Sequence, residues 1–286
     1  MQLGKPKKQT ELMKDLQKEG KLFAKPAEEE AKIEAAAVVV NPLLENVMVE
    51  VEEKVSCSLN RDGELSKFEV KGIIYLTVND PKKNNPAAQL AFTPVKGFTF
   101  KPHPELDKQL WNKSKVICAA DQEQGFPAQT RLDAIRYNYR SKDEGDMPFT
   151  LNVFNTKKSN KTFVTLEIEA NQSCNLNFQK LERVKIALNM GDRAVDIEVQ
   201  KAAGASVEQD EAQNQLLWHV ANVTETGSAV LQFASQALRF DDLFPIDIRF
   251  DETYSLIGLD VQHVGNAATG DAMSVKTLHS LTTDSY

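Results

Sequence analysis

Paired cysteines are what this 286-residue chain most clearly lacks. Cys57, Cys118 and Cys174 are odd in number and far apart, so neither a disulfide framework nor a CxxC zinc site fits them. No apolar run approaches the roughly 20 residues that a membrane span requires. The opening stretch, Met1 to Lys8, is basic and has no apolar core, so no secretory signal is expected. Cations are short as well: 34 Lys and Arg face 41 Asp and Glu, a net charge of −7, whereas a nucleic-acid partner calls for the opposite balance.

Catalytic signatures are missing at the level of individual atoms. There is no GxSxG elbow and no HExxH helix. Gly265-Asn266-Ala267-Ala268-Thr269-Gly270 has the glycine spacing of a phosphate loop, but Asp271 and Ala272 follow where that chemistry needs Lys and Ser or Thr. A carboxylate there repels phosphate, so a hairpin loop is expected instead. His103, His219, His263 and His279 have no metal-type spacing. His219 alternates with Trp218 and Val220 and reads as an exposed strand residue beside a buried tryptophan. These absences predict no enzyme, no cofactor and no metal.

What the chain does contain is strand alternation. Val47, Val49, Val51, Val55, Cys57 and Leu59 occupy odd positions, while Met48, Glu50, Glu52 and Lys54 fill even ones. Successive strand side chains point to opposite faces, so one face is apolar and the other wet. Asn60-Arg61-Asp62-Gly63 supplies turn chemistry, and Phe68, Val70, Gly72, Ile74, Leu76 and Val78 alternate again. A long antiparallel hairpin of this kind is a building block of β-sandwiches.

Further strands are expected at Ala88–Phe92, Phe98–Lys101, Val116–Ala119 and Arg131–Tyr139, the last with a buried Ile/Tyr face, and polar loops at Asp80–Pro86 and Pro102–Lys115. The pattern resumes at Phe149–Val153, Phe163–Ile168, Leu181–Met190, Gln215–Val220, Ala229–Phe233, Ile246–Phe250, Leu256–Val264 and Met273–Leu281. Residues 1–46 differ. Thr10 can cap a short helix with Leu12, Met13 and Leu16 on one face, and Ala27–Ala37 is charged and Ala-rich. This segment reads equally as a linker with a partner-binding or docked helix and as a solvated connector. Four Asn-x-Ser/Thr triplets, beginning at Asn112, Asn160, Asn171 and Asn222, leave a secreted, glycosylated adhesion sandwich as an alternative to a cytosolic protein.

The order of these passages resembles a known family. Residues 47–286 resemble the μ-homology domain of clathrin-adaptor medium chains and of the δ subunit of coatomer, in the COPI coat. The hairpin around Asp62-Gly63 is similar to that domain's opening. Gly125-Phe126-Pro127 through Ile135-Arg136-Tyr137 to Met147-Pro148-Phe149 resembles its FxP…L(K/R)(W/Y)R…PF passage. Gln215–Val220 is similar to its tryptophan strand, and Phe244-Pro245-Ile246-Asp247-Ile248-Arg249-Phe250 to its return strand. Met1–Lys5, Leu16–Gly20 and His103-Pro104-Glu105-Leu106-Asp107-Lys108-Gln109-Leu110 resemble passages of the δ-coatomer branch.

The resemblance implies an all-β fold: two elongated β-sandwich subdomains, the second inserted into the first, after a helical linker at 1–46. Subdomain A would span about 47–146 and 238–286, and subdomain B about 147–237, with charged connectors at Ser141–Asp146 and Arg239–Asp242. It also implies a non-enzymatic COPI subunit in Golgi-to-ER retrograde transport, peripheral on the cytosolic side of Golgi membranes and vesicles through the coat alone. Partners would be other coatomer subunits (β and ζ, through an N-terminal part not among these residues). Tryptophan-containing acidic motifs of the ER tethering complex and an Arf GTPase-activating protein would be the peptide ligands.

A Trp ring needs an apolar slot, and its acidic flanks need cations. Phe98, Phe100, Lys101, His103, Lys108 and Lys115 are the candidates for that role. Medium chains that read tyrosine signals are the alternative within the family. For them Glu50 would supply the acidic residue, but Thr77 lies where a basic residue is needed, and Val275-Lys276-Thr277-Leu278-His279 has no tryptophan.

Overall fold

The computed structural model describes residues 45–59, 65–92, 97–192, 195–203, 205–223 and 228–283. The helical segments expected before residue 45 and the turn at Asn60–Gly63 lie outside them.

The opening strands form as their alternation predicts. β1 (Val47–Leu59) and β2 (Leu65–Val78) pair antiparallel, from Val47 opposite Val78 to Ser58 opposite Lys67. Val47, Val49, Val51 and Val55 are buried, while Lys54 is exposed. The sheet continues through β6 (Arg131–Ser141) to an edge strand, β4 (Thr99–Pro102). On its other side β17 (Val275–Thr283) pairs parallel with β1, and two-residue β15 (Asp251–Glu252) completes six strands.

Against the apolar face of that sheet packs a three-stranded sheet in the order β16-β3-β5, formed by Asp260–Asn266, Pro86–Ala91 and Val116–Ile117. Val49, Ile74, Ile135, Leu90, Ile117 and Val264 share the resulting core. The Pro102–Lys115 stretch, expected to be loop, holds one helix, α1 (Lys108–Ser114). The Asp107 carboxylate caps it by accepting from the backbone N–H of Gln109 and Leu110, both at 2.9 Å, and it buries Trp111. The Gly265–Gly270 loop closes on itself, with the Gly270 N–H donating to the Asn266 carbonyl at 2.8 Å. Its arms pair antiparallel, Gly265 opposite Ala272 and the Met273 N–H donating to the Val264 carbonyl at 2.9 Å, so it is the hairpin loop expected, and the chain beyond it enters the other sheet as β17.

The second sandwich is inserted between β6 and the return to β15. One sheet runs β10-β13-β8-β7, from Val195–Ala203, Ser228–Gln236, Lys161–Ala170 and Phe149–Lys158. The other runs β11-β12-β9-β14, from Ala205–Asp210, Gln215–Val223, Leu181–Asn189 and Asp247–Arg249. No strand was expected at β10 or β11, whose described residues are mostly polar or exposed. Trp218 is fully buried between these sheets, and His219 is half-exposed on the other face. The connector at 239–242 does not end the second sandwich, because β14 beyond it still pairs with β9; the chain rejoins the six-stranded sheet only at β15.

Two tyrosines of β6 hold the crossings between the sandwiches. Tyr137 lies over Gly72 and donates its hydroxyl to Glu53 Oε1 at 2.8 Å. The Glu53 carboxylate also accepts from the backbone N–H of Leu256 at 2.6 Å and of Ile257 at 3.4 Å, on the returning segment. Glu53 is 1% exposed, and burial pushes its carboxyl above the usual range, although these hydrogen bonds oppose the shift. Tyr139 donates to Asp146 Oδ2 at 2.6 Å on the outgoing segment, and burial with that carboxylate pushes its phenol up to about 12. Only a glycine at 72 leaves room for the Tyr137 ring, since a Cβ there would stand 2.0 Å from its Cζ.

On the wet face a second carboxylate, Glu69, sits beneath three cations: Lys67 at 2.8 Å, Arg140 at 2.7 Å and Lys71 at 3.5 Å. Burial alone would raise its pKa, but hydrogen bonds from Lys67, Arg140 and Asn138 outweigh it and bring the value to about 2.

Tyr137→Phe leaves the buried Glu53 without its hydroxyl donor and is expected to cost about 1–3 kcal/mol in a urea titration. Gly72→Ala displaces the same ring and should cost about as much, through overpacking. Glu69 has a pKa of about 2 in the folded chain against an ordinary 4.5, so its contribution is complete above pH 4.5 and is lost as the pH falls towards 2. Glu69→Gln should therefore lower stability at neutral pH and flatten the loss across that window. Parallel pH–stability curves for the two proteins would contradict this.

Candidate functional site

The six residues singled out for peptide binding are divided between the two faces of the sheet edge. Antiparallel pairing sets Phe100 opposite Tyr137, so both rings point into the core. Phe100 packs 5.2 Å from Phe92, 5.8 Å from Tyr137 and 5.7 Å from Trp111, between ring centroids, and Phe98 stacks on Tyr139 at 4.5 Å. Lys115, left-handed at the end of α1, carries its ammonium 5.2 Å from the Trp111 ring centroid and 5.8 Å from that of Phe100. Phe98, Phe100 and Lys115 therefore belong to one aromatic layer behind β4. It is half-buried packing, already filled by its own rings.

Lys101 points the other way, by strand alternation. His103 lies just past β4, where its Nδ1 accepts from the Glu105 N–H at 3.3 Å, and Lys108 is exposed at the first position of α1. The structure thus does not assemble the six into one slot.

Lys101, with the neighbouring Phe100, borders an open groove of about 470 Å³ on the wet face of β2, β6 and β4. Half-buried Ile73 lies on β2 at one side, between Glu52 of β1 and Arg136 of β6, and Lys71, Asn138, Thr99 and Lys101 complete the lining. Arg136 is bound to Asp133 and Asn138 donates to Glu69 at 3.0 Å, which fixes two of the rim side chains. The arrangement is one apolar side chain beside a group of cations. Among the described residues no cluster of three or more His, Cys, Asp or Glu is placed to hold a metal ion, and no helix is long and apolar enough to cross a membrane.

Ile73, Lys71 and Arg136 were missed in the sequence because only cross-strand register makes them neighbours. The available signal was their wet-face parity, opposite to Ile74, Gly72 and Tyr137. Arg131 bonds Glu50 at 2.8 Å and Glu52 at 2.5 Å while its guanidinium lies 3.4 Å over the Tyr75 ring, and Thr77 is 8% exposed.

Known proteins share both sequence and architecture with this chain. It is 25% identical over 290 residues to coatomer subunit delta-2 of Oryza sativa subsp. japonica, covering 100% of this chain and 54% of that protein. It is 26% identical over 265 residues to coatomer subunit delta of Arabidopsis thaliana, covering 91% of this chain and 48% of the other. The chain therefore spans about half the length of the curated relatives it matches. Among solved structures, the yeast delta-COP-I mu-homology domain matches with a TM-score of 0.72 at 22% identity, over 84% of this chain and 96% of that one. The same yeast domain complexed with a Dsl1 WxWxV peptide matches at 0.71 and 22% identity, with the same coverage. The Danio rerio Fcho1 mu homology domain matches at 0.63 and 18%, over 84% and 95%. With the model of the adaptor complexes medium subunit family matching residues 41–286, the chain belongs to that family.

Proposed function

We propose that this chain is a non-enzymatic subunit of a COPI-type vesicle coat that binds short, acidic, tryptophan-containing peptides of tethering and Arf GTPase-activating proteins. It would act in Golgi-to-ER retrograde transport, on the cytosolic side of Golgi membranes, associated with the membrane through the coat alone and with the β and ζ coat subunits as further partners. The observation that carries this reading is the groove itself: Ile73 offers apolar surface for an indole, and Lys71, Lys101 and Arg136 offer cations for acidic neighbours. The relatives add support, since those matched in sequence are δ-coatomer subunits and one matched domain holds a WxWxV peptide.

Of the residues singled out in sequence, Lys101 would touch the peptide directly. Phe98, Phe100 and Lys115 would stiffen β4 from behind, and His103 and Lys108 would lie near the end of the groove. The domain division proposed is about 47–146 with 238–286 for the first sandwich and 147–237 for the second, amended by β14, which completes a sheet of the second.

Calorimetric titration tests the reading. An acidic peptide with a WxW core should bind saturably, with the modest affinity of a small interface, and a tyrosine-signal peptide should not. Binding of the tyrosine signal alone would reverse the assignment in favour of a clathrin-adaptor type of ligand.

A further inference from the structure

The wet face of the six-stranded sheet gathers more cations than its carboxylates neutralise. Register sets Lys54 opposite Lys71 and Arg136 opposite Lys101, two like-charge pairs of the kind that destabilise a sheet. Lys67, Lys71 and Arg140 converge on the single carboxylate of Glu69, and Arg136 has Asp133. Lys54 and Lys101 are exposed and form no ion pair among the described residues. Glu52, directly opposite Ile73 on β1, shares Arg131 with Glu50, so the balance reverses from that position along β1. A chain of net charge −7 therefore keeps a cluster of cations beside Ile73, with Glu52 as its acidic neighbour on β1.

The edge beside this cluster is poorly suited to strand addition. β4 has four residues, and one of them, Pro102, lacks an N–H to give to a ladder. From β1 to β4 the face spans three strand spacings, about 14 Å, which is the length of about four extended residues.

We propose that a bound peptide lies across the strands of this face, its apolar side chain over Ile73 and its flanking carboxylates held by Lys54 and Lys71 on one side and by Lys101 and Arg136 on the other, without joining the sheet as an added strand. The proposal rests on the peptide-binding reading above and specifies the peptide's course and charge.

Four ligands test it: an acidic WxW peptide, the same peptide with every Asp and Glu changed to Asn and Gln, the acidic peptide N-methylated at alternate backbone amides, and vesicles of anionic phospholipid. In the variant combining Lys54→Glu and Lys101→Glu, affinity for the acidic peptide should fall about ten-fold or more, while the neutral peptide changes less than about two-fold. Raising salt should weaken only the acidic peptide, and N-methylation should leave its affinity within about two-fold. Both lysines are exposed, and the milder Lys54→Gln with Lys101→Gln, checked by its melting curve, should give a smaller loss in the same direction. Equal binding of both peptides, unaffected by charge reversal, would overturn the proposal and leave the peptide reading standing; failure of both peptides to bind would end the reading itself. Loss of binding on N-methylation would show an added strand instead. Vesicle binding that needs these lysines while peptide binding does not would assign the surface to lipid headgroups.

Discussion

A carboxylate with almost no access to water sets the geometry of the first sandwich. Glu53 stands on the apolar face of β1, where an ionised group is costly unless its oxygens accept hydrogen bonds. Tyr137 reaches it across β2 only because residue 72 has no side chain, and the backbone N–H groups of Leu256 and Ile257 reach it from the segment that returns from the insertion. Three strands and a chain crossing are locked by one side chain. Sliding β6 by one residue would turn Tyr137 to the wet face and leave Glu53 without that donor. Two residues along β6, Tyr139 and Asp146 do the same for the outgoing crossing.

The groove depends on that register. Lys101, Arg136, Ile73 and Lys71 are distant in sequence, and they become neighbours because β2, β6 and β4 are held at one alignment. With Tyr137 and Phe100 committed to the core, Arg136 and Lys101 face outward. The buried packing on one side of the sheet and the cationic cluster on the other are two consequences of the same pairing. Net charge says little about such a surface, since register alone decides which of the chain's cations and carboxylates share it.

Legibility in the sequence followed the strength of local pattern. Val47–Val55 and Phe68–Val78 alternate so regularly that face, length and pairing could be read directly, and the buried Ile135, Tyr137 and Tyr139 were evident too. In β6 a bulge intervenes: Ile74 faces Ile135, but Tyr75 faces Asp133, so Ala134 is the extra residue and Asp133 turns to the wet face. An alternation count cannot show this. Glu53 interrupts the odd, apolar series of β1, and a charge in that position was the one sequence-level sign of a buried network. The helix around Trp111 was hidden in a polar stretch, although Asp107 is a good cap. β10 and β11 were missed because they are edge strands whose polar side chains face water.

By itself, then, the order of residues determined an all-β chain with wet and dry strand faces, poor in cysteine and without catalytic motifs, and its passages resembled one family of nested sandwiches. Those properties are carried by neighbours in the chain, where backbone geometry alone orients side chains. Tertiary structure decided that β14 completes the second sandwich, that Phe98 and Phe100 face the core while Lys101 faces water, and that Lys54, Lys71, Lys101 and Arg136 share one face with Ile73. Each of these follows from strand register, which depends on long-range pairing and on the fit of Tyr137 over Gly72, and no window of local sequence contains that information.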